Sequence, residues 1–216
     1  MPTPPSRAGS VRLVGGRACL DLVNTVSWRG DPARREDHLA TGADALTWLV
    51  RVGVVTAAES ARLRPDGGRV LSSLVGVREE LAAYVDAAVD AGGALREHPA
   101  PAALQDGVRD AIAHAALRPG PDGHRWQVAA LDPRTPTRRI LLDVHDLLGL
   151  PGARVGRCAD GDCGWVFHDA GRRGARRWCS SADCGNRHRV RRHYARTHPP
   201  EGDVPGAAPG RLSGSR

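Results

Sequence analysis

Residues 158–187 read CADGDCGWVFHDAGRRGARRWCSSADCGNR, and the four cysteines in this stretch decide the fold of the surrounding chain. They form two pairs, Cys158 with Cys163 and Cys179 with Cys184, with four residues inside each pair and fifteen between the pairs. Two close pairs at about this separation are typical of a zinc site, although pairs spaced by two residues are commoner than pairs spaced by four. Because each pair offers two thiolates from one tight turn, two pairs complete a tetrahedron around one Zn²⁺.

The predicted zinc is structural rather than catalytic. Four thiolates leave no open coordination position, and a hydrolytic zinc needs one for water. Two alternatives remain open at this stage: an iron–sulfur cluster, or a histidine (His168, His188 or His193) in place of one thiolate. A third interpretation is that the four cysteines are unrelated core residues. Their occurrence within only 27 residues makes this interpretation less consistent with the sequence. Cys19 stands alone among apolar residues and is predicted to belong to the core.

The net charge of +7 is concentrated in the same part of the chain. Residues 154–198 contain eleven Arg and four Asp, whereas residues 1–153 contain eighteen Arg and eighteen acidic residues. A local excess of positive charge is typical of surfaces that bind nucleic acid. It is also found on solvated helices that offset the negative charge of a zinc–thiolate site.

Residues 154–198 are predicted to form a separate, small α+β unit that resembles a treble clef. Short strands are expected at 155–158 and 165–169, and a helix at 182–196. On that helix Val190 and Tyr194 share one side, and we expect them to pack on Trp165 and Phe167. The opposite side is left to arginines.

These exposed basic residues are the candidate nucleic-acid contacts. They lie on the helix and on the preceding hairpin, and the predicted set is His188, Arg189, Arg192, Arg196, Arg172, Arg173, Arg176 and Arg177. Asn186 and Arg187 lie within one turn of the thiolates. They are predicted instead to orient the ligands through N–H···S hydrogen bonds.

Residues 11–153 are predicted to form a mainly α domain. Apolar residues recur at helical spacing in segments near 20–26, 41–52, 70–89, 102–117 and 137–148, and Thr56 starts a capping-box pattern. Residues 123–132 suggest a short strand pair. Two segments rich in Pro, Gly, Ser and Ala, 1–10 and 199–216, are predicted to be flexible.

Few polar residues in this domain suggest a ligand-binding, metal or catalytic site. Asp21 and Asn24 are predicted either to line a ligand pocket or to satisfy buried backbone groups, and the second interpretation is favoured. Trp48 is predicted to be core. The cluster Asp143-Val144-His145-Asp146 suggests a metal site, but helical spacing turns its histidine away, so a solvated face is expected. Because the sequence contains no nucleotide-binding or hydrolase motif, we do not expect an enzyme.

The residues Cys184-Gly185-Asn186-Arg187 are the signature of the CGNR zinc-finger family, and the flanking CGWVFHD and RRWCSSAD are similar to its pattern. ACLDLVNTV (18–26) followed by LATGADALTWLVRVG (39–53) resembles the ABATE domain that precedes this finger. The chain departs from the family pattern at 170–172, where a Ser-containing turn is usual, and at 188–189, where His-Arg keeps the charge. The resemblance implies a stress-linked transcription regulator.

These observations predict a DNA-binding transcription regulator. Its N-terminal domain would sense a small-molecule signal or form a homodimer, and its finger would present a basic helix to DNA. The alternative is an adaptor that binds proteins through the finger without sequence-specific DNA binding. No run of about 20 apolar residues and no secretory signal is found, so we expect no membrane span and a cytoplasmic location, associated with the nucleoid if DNA is bound.

Overall fold

The computed structural model describes residues 7–121, 123–161, 163–171, 174 and 176–197. Within these ranges the helices are α1 (Ala18–Val23), α2 (Gly42–Arg51), α3 (Ala57–Leu63), α4 (Gly67–Asp90), α5 (Ala102–Ala113), α6 (Thr135–Gly149) and α7 (Asn186–Thr197). The strands form three antiparallel pairs: β1 (Val26–Ser27) with β2 (Glu36–Asp37), β3 (Ala116–Gly120) with β4 (Gly123–Gln127), and β5 (Val155–Arg157) with β6 (Val166–His168). The predicted fold class, a mainly α domain followed by a small α+β finger, is confirmed.

Side-chain caps start two of the helices where the sequence indicates them. The predicted capping box at Thr56 is present: Thr56 Oγ1 accepts from the Glu59 N–H at 3.1 Å, and Glu59 Oε2 accepts from the Thr56 N–H at 2.8 Å. Thr41 and Asp44 form the same arrangement at the start of α2. These caps satisfy N–H groups that have no partner within the helix.

Helix α4 is the centre of the core. Leu74, Val77, Leu81, Val85 and Ala88 are predicted to share one stripe, and all of them are buried except Val77, which is half-buried. The helix packs against α1, α2 and α6. Trp48 of α2 is fully buried in the same core, also as predicted. Two glycines let α2 and α4 approach closely, because a Cβ atom at Gly42 would lie 2.4 Å from the backbone of α4.

The helix predicted at 102–117 is too long. It ends at Ala113, and residues 116–120 form strand β3. The partner of β3 is β4, which lies within the segment 123–132 where a strand pair is predicted. Pro119 restricts only Arg118 and itself, so it does not by itself account for a helix end at Ala113. Leu117 faces Trp126 across the hairpin, and this pair favours strand pairing instead.

The hairpin of the finger packs into the core of the N-terminal domain. Val155 and Val166 of this hairpin belong to the same apolar core as α4. The Val155 N–H donates to the Gly93 carbonyl at 2.9 Å, and a Cβ atom at Gly93 would lie 2.4 Å from the Val155 oxygen. The His168 N–H donates to the Gly15 carbonyl at 2.8 Å. The boundary at 153–154 therefore divides the sequence but not the core.

The first described residues are also part of the core. Ala8, within the segment predicted to be flexible, is fully buried. A turn closed by a 2.8 Å bond from the Ser10 N–H to the Arg7 carbonyl places it there. Residues 1–6 and the predicted flexible tail at 199–216 lie outside the described residues. In the part of the chain that the structure describes, no helix is long and apolar enough to cross a bilayer.

Candidate metal centre and basic helix

The four cysteines come together as predicted. Their Sγ atoms all lie within 4.8 Å of one another, and all four side chains are buried. The Cys163 and Cys179 sulfurs are 3.6 Å apart, and those of Cys179 and Cys184 are 3.5 Å apart. A tetrahedron with bonds of about 2.3 Å places its sulfurs about 3.8 Å apart. The donor set therefore fits one Zn²⁺.

The charges of the sulfurs lead to the same conclusion. Hydrogen bonds from Cys163 and Cys179 lower the pKa of Cys158, and the same bonds raise the pKa values of Cys163 and Cys179. Zn²⁺ takes its cysteine ligands as thiolates, so a bound ion would replace the protons that the sulfurs share in these hydrogen bonds. When bound, Zn²⁺ would be held by Cys158, Cys163, Cys179 and Cys184. It would cross-link the loop between β5 and β6, the segment after β6 and the turn before α7.

Arg187 connects this cluster to the basic helix. Its guanidinium donates to Cys184 Sγ at 2.9 Å and, through Nε, to Asp160 Oδ2 at 3.0 Å. Burial lowers the pKa of Arg187, but the Cys184 and Asp160 charges outweigh it and raise the pKa above its usual value. Arg191, one turn later, donates to Asp160 Oδ1 at 3.1 Å. The side chain of Asn186, predicted to share the role of Arg187, is exposed.

Helix α7 begins four residues later than predicted. Residues Ser181–Gly185 form a wide π-type turn instead, and Ser180 Oγ accepts from the Asp183 N–H at 3.3 Å at its start. This turn carries Cys184 into the cluster. Gly185 leaves room for the Trp178 ring, because a Cβ atom would make a tight contact of 3.1 Å with it. The His188 ring packs on the same indole with 4.7 Å between ring centroids.

The apolar side of α7 does not pack as predicted. Val190 and Tyr194 are 59% and 63% exposed, and among its described residues α7 has none that is buried. Phe167 is already covered by other groups. The Arg176 guanidinium lies 4.2 Å from its ring centroid, and Gly156 is so close that a Cβ atom would lie 2.7 Å from the ring. The prediction failed because helical spacing identifies a side of a helix but not what covers it.

The four arginines that were predicted to contact nucleic acid from the hairpin differ in their surroundings. Arg176 donates to the carbonyls of Val14 at 2.8 Å and Cys179 at 2.7 Å, so it holds the finger against the N-terminal segment. Arg177 is exposed, with its guanidinium 5.5 Å from the Trp178 ring centroid. Arg172 and Arg173 lie outside the described residues.

On α7 the predicted basic side is open to solvent. Arg189, Arg192 and Arg196 are all exposed, and so is His188. One of the three arginines has a weak contact, from Arg189 to the Ser181 carbonyl at 3.4 Å.

Asp21 and Asn24 serve the fold. Asp21 Oδ1 accepts from the Gly15 N–H at 2.8 Å, and burial raises the pKa of this carboxyl group. The Asn24 amide exchanges two hydrogen bonds of 2.8 Å with the backbone of Val166. Cys19 is fully buried, and burial raises the pKa of its thiol.

Asp143 does not lie on a solvated face as predicted. It accepts from the Cys19 N–H at 2.8 Å and pairs with Arg17 at 2.7 Å at the start of α1. His145 is half-buried and Asp146 is exposed.

One feature of the site has no signal in the sequence. A cavity of about 270 Å³ adjoins the cysteine cluster, and its walls include Trp28 and Trp165. These residues are far apart in the chain, and only Trp165 lies within the finger motif. Their proximity follows from the packing of the finger on the N-terminal domain.

Two family models match the chain. The CGNR zinc-finger model matches residues 154–197. The ABATE model, whose description is "Putative stress-induced transcription regulator", matches residues 16–157. No curated protein matches the chain.

Proposed function

This chain belongs to the ABATE family and carries a CGNR zinc finger after its ABATE domain, and we propose on this premise that it regulates transcription by binding DNA through α7. The single observation that carries the proposal is the exposure of this helix. Its sequence NRHRVRRHYART contains five Arg, two His and no acidic residue, and none of its described residues is buried. A cationic helix of this kind matches the charge and the groove dimensions of duplex DNA.

The arginines of α7 have two different roles. Arg187 and Arg191 pair with the buried carboxylate of Asp160, which lies between the first two cysteines. The two ion pairs with Asp160 fix the helix to the metal centre. The exposed trio Arg189, Arg192 and Arg196 remains available for phosphates or guanine edges.

The exposed apolar residues of α7 lie on the other side of the helix. Val190 and Tyr194 are one turn apart, and their side chains are open to solvent. When Arg189, Arg192 and Arg196 face DNA, this apolar pair faces away from it.

In this proposal the N-terminal domain senses the signal. Its core is continuous with the finger hairpin through Val155 and Val166, so a change in the domain reaches the finger directly. A homodimer would supply a second half-site, and sedimentation equilibrium of the zinc-loaded chain tests that part separately.

A salt titration of DNA binding tests the proposal. Fluorescence anisotropy would compare the intact chain with Arg189/Arg192/Arg196→Ala on a pool of genomic fragments. The control Arg69/Arg96/Arg109→Ala removes the same charge from exposed positions outside the finger. We expect the first variant alone to lose affinity and to flatten the slope of log K against log salt by about three units. Equal losses in the two variants would reject α7 as the DNA-binding element.

The exposed pair Val190 and Tyr194 also favours a second function. An apolar pair at this spacing is what a groove on a partner protein recognises in a helix. An adaptor of this kind would retain its partner in Arg189/Arg192/Arg196→Ala and lose it in Val190→Ser/Tyr194→Ser. Its DNA binding would be no stronger than that of any basic protein.

A further inference from the structure

The β3–β4 hairpin projects from the body of the protein. Nine of the ten residues in its two strands are exposed, and Gly120 is half-buried. Directly after β4, Val128 is buried, and its carbonyl accepts a hydrogen bond of 3.1 Å from Arg139 of α6. The hairpin is therefore anchored at its base, and both of its sides are open to solvent.

The two sides of the hairpin differ in their residues. Leu117 pairs with Trp126 and Pro119 pairs with His124, and alternation along each strand places all four on one side. We call this side the apolar face. None of its four residues is Arg, Asp or Glu, although 25% of the residues in the chain are charged. The arginines of the hairpin, Arg118 and Arg125, face each other on the opposite side.

The apolar face is open to solvent in the part of the chain that the structure describes. Leu117 is 52% exposed and Trp126 is 37% exposed. A two-stranded hairpin is marginally stable in water unless further strands or a helix cover its apolar side. A surface that covers this face therefore removes apolar area from water and stabilises the hairpin.

The charges of the chain indicate which surface covers the face. Nucleic acid is held mainly by cations, and the arginines of the hairpin lie on its other side. A second copy of the apolar face brings no charge into the contact. Two copies therefore meet there without the repulsion that a net charge of +7 causes elsewhere on the surface. In a two-fold contact, the same patch serves on both copies.

The other exposed apolar pair, on α7, is less suited to a contact between copies. Arg187 and Arg191 lie three residues before Val190 and Tyr194, so they are neighbours of this pair on the helix surface. Two copies of α7 would bring arginines close to arginines, and like charges at a contact oppose association. The hairpin is the better surface for a second copy.

We propose that the apolar faces of two copies of the chain pack on each other across a two-fold axis and form a homodimer. Two sheets that pack in this way lie about 10 Å apart, with their side chains interdigitated. Four residues from each copy are far fewer than the about 20–30 of a standard interface. The dissociation constant should therefore be high, roughly 0.1–1 mM.

This contact deepens the proposed function and rests on it for the use of the dimer. Two copies on neighbouring DNA sites have a local concentration on the order of millimolar, so a weak contact is sufficient to join them. The contact itself needs no DNA and can be measured without it.

Sedimentation equilibrium of the zinc-loaded full chain, at concentrations up to about 1 mM and without DNA, tests the contact. We expect a monomer–dimer equilibrium that is retained or strengthened between about 0.1 and 0.5 M salt, because salt screens the repulsion between copies and the contact is uncharged. At the higher salt, Leu117→Arg should weaken the dimer at least tenfold. The control Ala116→Arg adds the same charge on the opposite side of β3 and should change the dissociation constant less than twofold.

His124→Ile makes the face more apolar and should strengthen the dimer at least threefold, a gain that a loss of folding does not produce. A chain that stays monomeric at about 1 mM, as expected if the face binds a different protein, would overturn the proposal. Equal dimerisation of Leu117→Arg and Ala116→Arg, an unchanged dimer in His124→Ile, or dissociation at the higher salt would also overturn it. None of these results bears on DNA binding by α7. Loss of DNA binding with the dimer retained would reject the proposed function alone.

Discussion

Asn24 and Val166 exchange two hydrogen bonds of 2.8 Å: the Asn24 amide donates to the Val166 carbonyl, and the Val166 N–H donates to the Asn24 amide oxygen. Both residues are buried. The Asn24 side chain, directly after α1, therefore makes the pair of hydrogen bonds with Val166 that a neighbouring strand would otherwise make with β6. This contact joins the zinc finger to the N-terminal domain.

Asn24→Ala should destabilise the chain by about 2–4 kcal/mol, because it leaves the Val166 N–H and carbonyl groups buried without partners. Urea unfolding of the zinc-loaded protein measures the free energy. The control Asn186→Ala removes an exposed amide and should change the stability by less than about 0.5 kcal/mol. Similar values for the two variants would show that the Asn24 contact adds nothing.

This contact also shows what sequence reasoning can and cannot reach. The two cysteine pairs predict the metal centre because their spacing is local and its chemistry is specific. Asn24 is visible only as a polar residue in an apolar stretch, and its partner is far away in the chain. The integration of the finger into the core was missed because a shift in composition at residue 154 says nothing about packing across it.

Zinc removal should destabilise the whole chain rather than the finger alone. The finger hairpin shares its core with α4, so loss of the metal cross-link loosens a surface on which that helix packs. Thermal unfolding followed by far-ultraviolet circular dichroism, which reports mainly on the N-terminal helices, should shift to lower temperature after treatment with a zinc chelator. Return of the zinc should restore it. An unchanged helical transition would mean that the two parts fold independently.

Asp160→Asn should weaken DNA binding without removing zinc. The variant keeps the size of the side chain but loses the charge that holds Arg187 and Arg191. Because both arginines are half exposed, the loss of stability should be small, about 1 kcal/mol. The DNA affinity should fall severalfold because α7 is held less firmly. The control Asp106→Asn, whose carboxylate is exposed beside Arg109, should leave both quantities unchanged.

Glu59 should contribute a pH-dependent part of the stability. Hydrogen bonds from Arg139 at 2.7 and 3.0 Å lower the pKa of Glu59 to about 2, against an ordinary value of 4.5. A carboxyl group with a lowered pKa stabilises the folded state above its unfolded pKa, so this contribution is present above pH 4.5 and is lost as the pH falls towards 2.

Glu59→Gln should therefore cost about 1–3 kcal/mol at neutral pH and progressively less below pH ~4.5. Parallel urea titrations of the two proteins at several pH values measure the difference, which removes the shared effect of zinc release in acid. A constant difference across the pH range would contradict the role assigned to Arg139.

The outer surface of the finger is the second feature that the sequence predicts only in part. Helical spacing correctly separates Arg189, Arg192 and Arg196 from Val190 and Tyr194. It does not show that the apolar pair is exposed, because Arg176 and Gly156 already cover Phe167. The start of α7 at Asn186 was equally hidden, since the wide turn before it is set by the position of Cys184 in the metal centre.

The most direct test of the account is a map of the DNA contact on the zinc-loaded chain. Amide ¹H–¹⁵N signals would be followed while a duplex enriched from genomic fragments is added. The account predicts that the largest shifts occur in residues 186–197 and that they disappear in Arg189/Arg192/Arg196→Ala. Shifts centred on another surface, such as residues 116–127, or shifts that survive in that variant, would contradict the claim that α7 binds DNA.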